Sequence, residues 1–342
     1  MKLLYLKAHN LGTFQELHID ADALLKTTAL SNCMVLTGRV GSGKTLCLTA
    51  IAMGVLASLL TDNAIERLLP VTNFDGDAMQ DGCTLMKVEA KYLTIGDHKN
   101  DKTPTFTVKT MNKVKNSKSC VSSTGKNDQE LLDLLKDKNR CFMLAYGPKF
   151  GEKFYSSKDV EAYNTDWIKR NAMRLEGILG PKNERLVPLE SWLMPLKSTN
   201  HARYIEVINL INELLGISDY WFSGNHCRQS GEYLFDYKGM DKNISKVSTG
   251  TKELLGFVCD LVFHIHQSTS STNQLKNITG MVLIDQFERN FDKHIKSSFL
   301  PLLCKLLPNI QFIVTTHSDE VLDSVTGAAK LRLNIDKTRS VH

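Results

Sequence analysis

The sequence lacks the marks of a secreted, disulfide-bonded or membrane-spanning protein. Its eight cysteines never form a CxxC pair, which indicates buried or inert thiols in a reducing compartment rather than a disulfide framework or a zinc site. Met1–Phe14 has no continuous apolar core of signal-peptide type. The longest apolar runs, Leu46–Leu60 and Leu254–His264, are shorter than a membrane span. We therefore expect a soluble, cytoplasmic protein with no membrane partner.

The sequence also has only a small excess of positive charge, and it lacks repeats. A net charge of +5 over 342 residues permits nucleic-acid binding without requiring it. The sequence shows no internal repeat and no heptad run long enough for a coiled coil. Hydrophobic residues make up 42% of the chain, which is enough for a full α/β core and a second lobe.

The order of the predicted elements indicates an α/β fold. Met1–Ile19 predicts two short strands, and the chain from Lys252 onward alternates between helix and strand, as is typical of a parallel sheet covered by helices. Asp97–Asp128 is polar and rich in lysine and serine, and it predicts a mobile loop or a partly disordered insert. A solvated loop is the simpler interpretation of its lysines, and a contact with nucleic acid or a partner is the alternative.

One motif has the spacing of a phosphate-binding loop, GxxxxGK[ST], between a strand-like run and an apolar helix. Its glycines let backbone N–H groups turn inward around phosphate oxygens, and the start of the helix adds a positive dipole end. We expect Lys44 to reach the β- and γ-phosphates of a nucleotide and the Thr45 hydroxyl to ligate Mg²⁺. The residues of the loop are Gly38, Arg39, Val40, Gly41, Ser42, Gly43, Lys44 and Thr45.

Three weaker motifs follow the loop along the chain. Asp285 ends the apolar strand Met281–Ile284, where a carboxylate could hold Mg²⁺ beside the phosphate loop. His317 follows a second apolar strand, although a lone histidine there is more often structural. Ser248 and Gly250 open a helix whose N-terminus could bind an anion or form an ordinary N-cap. Together with the loop, these motifs predict a site for ATP and Mg²⁺.

In order and spacing these motifs resemble those of ABC-type ATPases, and in particular the small SMC/RecF-like branch. That branch includes the stand-alone AAA ATPases of bacterial defence cassettes, such as the Septu-type and retron-associated ATPases. VSTGTKELL is similar to the signature motif of the family, LIDQFERNFD to its Walker B segment, and NIQFIVTTHSDEVL to the segment with its switch histidine. LYLKAHNLGTFQELHI, FMLAYGP and LESWL resemble further patches, so the similarity is spread over nearly the whole chain.

The resemblance implies an α/β fold with an ABC/SMC-head-like P-loop NTPase sheet and an inserted, mainly helical lobe. On this basis we divide the chain into four parts. Residues 1–96 form the N-terminal part of the ATPase lobe with the P-loop, and 97–128 are the polar, partly disordered insert. Residues 129–245 form the mainly helical lobe, and 246–342 form the C-terminal part of the ATPase lobe.

The family also implies how the motifs would work together. Its heads face each other in pairs, and each ATP lies between the P-loop of one head and the signature motif of the other. By resemblance, Ser248 and Gly250 would contact the γ-phosphate across a homodimer, and His317 would contact the same phosphate from its own head. Asn290–Asp292 would form the D-loop, whereas the glutamine of the Q-loop is not identified.

The sequence departs from the family pattern at Gln286. The family has a glutamate directly after the Walker B aspartate, where it orients and polarises the attacking water. A glutamine can hold a water but cannot accept its proton, so we expect Asp285, Gln286 and His317 to form a catalytic group with slow turnover. Either the protein is a slow, switch-like ATPase, or Gln286 is a substitution that traps the ATP state. The fit of Asp285, Glu288 and His317 to an active family member favours the second explanation.

Three functions remain open at this point. The first is an ATP-gated switch that controls a separate effector, a nuclease or toxin, in antiphage defence, since the sequence contains no nuclease motif. The second is a RecF/Rad50-like DNA-binding ATPase in DNA repair, supported by the basic insert. The third, a transporter subunit, fits least well because a long segment separates Thr45 from Ser248. A nucleic acid, such as a retron RNA–DNA, is a further candidate partner.

Overall fold

The structure of the protein is a computed structural model. The residues that it describes are 1–56, 85–94, 105–114, 122–123, 133, 135–139, 141–148, 153–179, 185–227, 230–243, 246–289 and 291–333. The strands in these segments are β1 (Lys2–Leu11), β2 (Phe14–Asp20), β3 (Leu30–Thr37), β4 (Leu85–Thr94), β5 (Thr105–Val114), β6 (Ser122–Ser123), β7 (Met143–Tyr146), β8 (Lys153–Phe154), β9 (Arg185–Leu186), β10 (Tyr220–His226), β11 (Tyr233–Tyr237), β12 (Met240–Asn243), β13 (Gly280–Ile284), β14 (Ile310–Thr315) and β15 (Ala328–Arg332).

The helices are numbered in the same way. They are α1 (Ala21–Lys26), α2 (Lys44–Leu56), α3 (Ser157–Thr165), α4 (Trp167–Leu179), α5 (Glu190–Thr199), α6 (His201–Leu215), α7 (Thr249–Ser268), α8 (Lys293–Leu306) and α9 (Asp319–Ser324), with a short 3₁₀ helix at Leu275–Asn277. Within the described segments, no helix is both long enough and apolar enough to cross a bilayer.

A five-stranded parallel sheet forms the centre of the molecule, in the order β15-β3-β14-β13-β7. Both of its faces are buried. Along β3, Cys33 and Val35 belong to the core on one face, and Met34 and Leu36 belong to the core on the other. Such strands are mostly apolar because other elements cover both faces of a parallel sheet. The predicted α/β fold with a parallel sheet is therefore confirmed.

The register of this sheet determines where the predicted motifs lie. Val314 of β14 pairs with Val35 of β3 on one side and with Ile284 of β13 on the other. Since the three strands are parallel and nearly in register, their C-terminal ends lie side by side at one edge of the sheet. The phosphate-binding loop follows β3, Asp285 follows β13, and Thr316 follows β14. Ligand sites of open α/β sheets occur at this kind of edge.

A second, antiparallel sheet has the strand order β2-β1-β4-β5-β6. Helix α2 packs against it, where the Tyr92 hydroxyl donates to the Ile51 carbonyl oxygen at 2.6 Å. Here the structure differs from the expected loop at 97–128, because Thr105–Val114 pairs along its whole length with Leu85–Thr94. The β-branched residues of TFTVKTMNKV favour a strand despite its lysines. Lys115, Lys118 and Lys126 lie outside the described residues.

The region expected to be a mainly helical lobe is of mixed structure. Helices α3 to α6 lie within it, but Met143–Tyr146 belongs to the parallel sheet, and β10, β11 and β12 form a small antiparallel sheet of their own. That small sheet is joined to α6 by Asn212, whose side chain accepts from the Phe222 amide at 2.7 Å and donates to the Phe222 carbonyl oxygen at 2.8 Å.

The cysteines in the described segments are free, and all but Cys227 are buried, as the sequence predicted. They are Cys33, Cys47, Cys141, Cys227, Cys259 and Cys304. Cys83 and Cys120 lie outside the described residues.

A buried polar network joins α7 to the edge strand β7 and to α4. The Asp260 carboxylate of α7 accepts from the Tyr146 hydroxyl and from the Val187 amide, both at 2.8 Å. One turn further along α7, His264 Nδ1 lies 2.9 Å from the Tyr163 hydroxyl, which accepts from Arg174 Nε at 2.8 Å. Burial raises the pKa of Asp260 to about 7 and lowers the pKa of His264 well below its usual range.

The raised pKa of Asp260 predicts an unusual dependence of stability on pH. Between about pH 4 and pH 7, the folded protein holds a proton on Asp260 that the unfolded chain has released, so this residue's contribution to stability falls as the pH rises through that range. An Asp260→Asn substitution removes the titration. We expect the stability of the variant relative to the original chain to increase by about 2 kcal/mol from pH 5 to pH 8.

Urea denaturation of both proteins at the two pH values measures this difference. His264 Nε2 lies 3.5 Å from Asp260 Oδ2, so the same comparison is repeated in a His264→Gln background, where Asp260 is the only member of the pair that titrates. An equal stability difference at pH 5 and pH 8 would show that Asp260 does not titrate in this range in the folded protein.

Candidate nucleotide-binding site

The loop between β3 and α2 has the backbone of an anion-binding turn. Gly38, Gly41 and Gly43 have φ values of 146°, 80° and 85°, which side chains of L-residues rarely allow. A Cβ on Gly38 would lie 2.5 Å from the Leu333 carbonyl oxygen, and one on Gly43 would collide with the ring of Phe14. Glycine at positions 38 and 43 is therefore favoured by both backbone conformation and close packing, and glycine at position 41 by backbone conformation alone.

Lys44, the first residue of α2, is buried beneath this loop. Its Nζ donates to the carbonyl oxygens of Gly38 at 2.9 Å and Arg39 at 3.0 Å, and it lies 3.4 Å from Ser42 Oγ. Burial lowers the pKa of Lys44, and the nearby carboxylates of Asp285 and Glu288 oppose that shift. The ammonium group thus lies inside the loop, where it could bind phosphate oxygens at the start of the helix.

The other two residues of the loop lie at its tip. Arg39 is exposed, and Val40 has 86% of its surface exposed. Their part in nucleotide binding stays a prediction.

Asp285 lies buried at the end of β13, with both carboxylate oxygens hydrogen-bonded. The Thr45 hydroxyl donates to Oδ2 at 2.8 Å, and the Thr315 hydroxyl donates to Oδ1 at 2.5 Å. The structure therefore brings Thr45 and Asp285, the two predicted magnesium ligands, into direct contact although they are far apart in sequence. Hydroxyl and carboxylate oxygens are the hard ligands that Mg²⁺ prefers, so the pair fits this ion.

Gln286 begins the turn after β13 in a left-handed conformation, with a φ of 53°. This conformation costs a non-glycine residue roughly 1–2 kcal/mol, and such strain is often found at functional sites. The backbone amide of Gln286 donates to Thr315 Oγ1 at 2.8 Å. Thr315 therefore fixes both Asp285 and Gln286. Thr315 was not among the residues predicted for the site, although it lies two positions before His317 in the sequence.

His317 follows β14, and its side chain is exposed. Glu288 is hydrogen-bonded to the segment that carries it. The carboxylate of Glu288 accepts from the His317 amide at 2.9 Å and from the Thr316 hydroxyl at 2.7 Å. The structure thus brings Lys44, Asp285, Gln286 and His317 to the same edge of the sheet.

The predicted signature residues lie apart from this group. Ser248 is the exposed N-cap of α7, and its Oγ accepts from the Thr251 amide at 3.4 Å. Gly250 follows within the first turn of the helix. Among the described residues, no hydrogen bond joins either of them to the phosphate-binding loop. In the predicted D-loop, Asn290 lies outside the described residues, and Asp292 caps α8 by accepting from the Ile295 amide at 2.8 Å.

Residues 238–323 match the family described as "AAA domain, putative AbiEii toxin, Type IV TA system". The matched segment contains Ser248, Gly250, Asp285 and His317, but not the phosphate-binding loop.

Two curated proteins are similar over part of the chain. One is the Retron Ec83 probable ATPase of Escherichia coli, 30% identical over 95 residues, which are 28% of this chain and 17% of that protein. The other is the Retron Vc95 probable ATPase of Vibrio cholerae serotype O1 biovar El Tor, 33% identical over 89 residues, which are 26% of this chain and 17% of that protein. The match therefore spans less than a fifth of the length of either relative.

Solved structures of SMC heads match almost the whole chain. An SMC head bound to the C-terminal winged-helix domain of ScpA covers 97% of this chain and 94% of its own, with a TM-score of 0.53 and 12% identity. An SMC head with an extended coiled coil, bound to the C-terminal domain of ScpA from Pyrococcus furiosus, covers 98% and 94%, with a TM-score of 0.51 and 12% identity. At these identities the likeness establishes the fold alone, and it confirms the expected SMC-head-like architecture. The chain therefore has an SMC-head-like fold, is similar to an AAA family over residues 238–323, and is similar over part of its length to two retron ATPases.

Proposed function

We propose that this protein binds and hydrolyses ATP with Mg²⁺, and that it closes head to head as a dimer when ATP is bound. The observation that carries the proposal is the contact between Thr45 and Asp285 directly beside the buried ammonium of Lys44. Sequence motifs that lie far apart along the chain meet at one edge of the sheet, in the arrangement that a nucleoside triphosphate and a divalent cation require. The names of the two retron relatives support ATPase activity in particular.

Each residue at this edge has a role in the proposed reaction. The loop amides and Lys44 bind the phosphate chain, which places the γ-phosphate at the C-terminal ends of β13 and β14. Thr45 and Asp285 would hold Mg²⁺, which neutralises charge that develops on the phosphate oxygens. The Gln286 side chain can position a water for in-line attack on the γ-phosphorus, but it does not accept a proton, so proton transfer is poorly assisted and hydrolysis is slow.

Dimer closure is proposed from the position of the signature residues. Ser248 and Gly250 begin a helix of 20 residues, whose exposed N-terminus carries a partial positive charge. The described hydrogen bonds of the Ser248 side chain stay within its own helix, so the charge at the helix N-terminus is available to an anion. A γ-phosphate bound to the loop of a second copy would supply that anion and join the two heads, and its release would separate them.

The proposed cellular role is that of a switch whose ATP state controls a separate effector, a nuclease or toxin, in antiphage defence. The similarity to the retron ATPases supports this role, over the segment that they share. The alternative, a RecF/Rad50-like head that binds DNA in repair, rests on the lysines of 97–128, and the side chains of that segment lie outside the described residues.

Two substitutions separate nucleotide binding from dimerisation. Lys44→Ala removes the buried ammonium and should abolish ATP binding. Ser248→Arg places a bulky side chain at the exposed start of α7, so it should leave ATP binding intact and block ATP-dependent dimerisation. Equilibrium binding of labelled ATP and sedimentation with and without Mg-ATP measure the two properties. A Ser248→Arg protein that still dimerises on ATP would exclude the sandwich arrangement.

Restoring the carboxylate at position 286 should speed up hydrolysis. Gln286→Glu supplies a proton acceptor beside the attacking water, and general-base catalysis is typically worth about 10²- to 10⁴-fold in rate. We expect the kcat for ATP hydrolysis to rise within that range while ATP affinity changes little, with Gln286→Ala as the matched control. Equal kcat values for the original chain and the glutamate variant would show that residue 286 does not assist proton transfer.

Native mass spectrometry tests the role as a switch. The chain would be affinity-purified from its host with Mg-ATP and, separately, without nucleotide. A second protein that accompanies the chain in one of the two states would identify the effector. A bare ATP-dependent dimer that carries only DNA would instead favour the repair-type head.

A further inference from the structure

Glu288 makes contacts that the proposed reaction has not yet used. It lies in the turn that follows β13, where the Arg289 amide donates to the Gln286 carbonyl oxygen at 2.9 Å. From there its side chain reaches across to the end of β14. One carboxylate oxygen accepts from the backbone amide of His317 at 2.9 Å, and the other accepts from the Thr316 hydroxyl at 2.7 Å.

These contacts fix the backbone on both sides of the His317 ring. The Thr316 hydroxyl is fully buried, donates its single proton to Glu288 and accepts from the Ser318 amide at 3.0 Å. Ser318 in turn caps helix α9, because its Oγ accepts from the Val321 amide at 3.4 Å. The turn that carries His317 is therefore held between a carboxylate on one side and a capped helix on the other.

The residue type at position 288 suits this geometry. A carboxylate can accept on both oxygens at once, whereas the glutamine amide has only one oxygen that accepts. Hydrogen bonds to an ionised acceptor are also stronger than neutral ones. The same carboxylate lies close enough to Lys44 to influence its pKa, so Glu288 is part of the site and not of a distant surface.

We propose that Glu288 is a positioning residue, which holds the backbone of His317 so that its ring can contact the γ-phosphate of bound ATP. The proposal rests on the proposed function, in which His317 contacts that phosphate. In this arrangement Glu288 does not touch the nucleotide, and its effect passes entirely through His317. ATP and ADP then differ in affinity partly because only ATP has the phosphate that His317 reaches.

A double-mutant cycle tests this coupling. The dissociation constants of ATP and ADP, with Mg²⁺, would be measured for the original chain, for Glu288→Ala, for His317→Ala and for the double variant. We expect each single substitution to weaken ATP binding about tenfold, the loss of one good hydrogen bond, and to leave ADP binding unchanged. The double variant should bind ATP no more weakly than either single variant, because both substitutions remove the same contact.

Two more variants separate positioning from a general structural role. Glu288→Gln keeps one acceptor, so its affinity for ATP is expected to lie between that of the original chain and that of Glu288→Ala. This variant remains informative where the alanine variant does not fold. Glu320→Ala is the matched control, because Glu320 is a partly exposed carboxylate of the same segment that accepts from the Ser318 hydroxyl and not from His317. It should leave the ratio of ATP to ADP affinity unchanged.

Several results would overturn the proposal. Additive losses in the double variant would mean that Glu288 acts independently of His317, and an unchanged affinity ratio in Glu288→Ala or in His317→Ala would mean that the pair does not detect the γ-phosphate. Failure of the proposed function would give a different result from failure of this proposal. The original chain would then bind neither ATP nor ADP, and Lys44→Ala would bind neither as well.

Discussion

The parallel register of the central sheet is the constraint on which the rest of the site depends. Strands β3, β13 and β14 start at different places along the chain, yet they end at the same edge because Val314 pairs with both Val35 and Ile284. Each strand is apolar over the residues that precede its C-terminal end, and Asn32 of β3 and Gln311 of β14 lie near the starts of their strands. The hydrophobic core therefore decides where the phosphate loop and Asp285 can meet, and the polar contacts complete that arrangement.

A second constraint connects this edge to the helix that carries the signature residues. The Tyr146 carbonyl oxygen accepts from the Asp285 amide at 2.8 Å, and the Tyr146 hydroxyl donates to Asp260 in the middle of α7. The middle of α7 is thus joined, through the buried carboxyl group of Asp260, to the strand beside the proposed magnesium ligand. A displacement of α7 would disturb a group whose burial makes an unpaired polar atom costly. The position of α7, which begins at the signature residues, and the position of Asp285 at the end of β13 therefore depend on each other within one chain.

The sequence predicted the parts of this structure that follow from local pattern. The glycine spacing of the phosphate loop and the apolar strands around Asp285 and His317 were sufficient for the parallel α/β sheet and for the residues at its edge. The strand at Thr105–Val114 was missed because it lies within the polar, lysine-rich segment 97–128, while its pairing with Leu85–Thr94 depends on another part of the chain. Thr315 and Glu288 were not assigned roles because their importance lies in hydrogen bonds between strand ends, and such contacts have no signature within a short stretch of sequence.

The left-handed conformation of Gln286 has a consequence for how such a protein can be tuned. Its backbone amide donates to Thr315, so the backbone from which the side chain projects is held without a nucleotide. Exchange between an amide and a carboxylate of equal size at this point alters chemistry without altering geometry. The lifetime of the nucleotide-bound state could then change by orders of magnitude while its shape stays the same. The residue at position 286 would thus set how long the nucleotide-bound state lasts, independently of how the nucleotide is recognised.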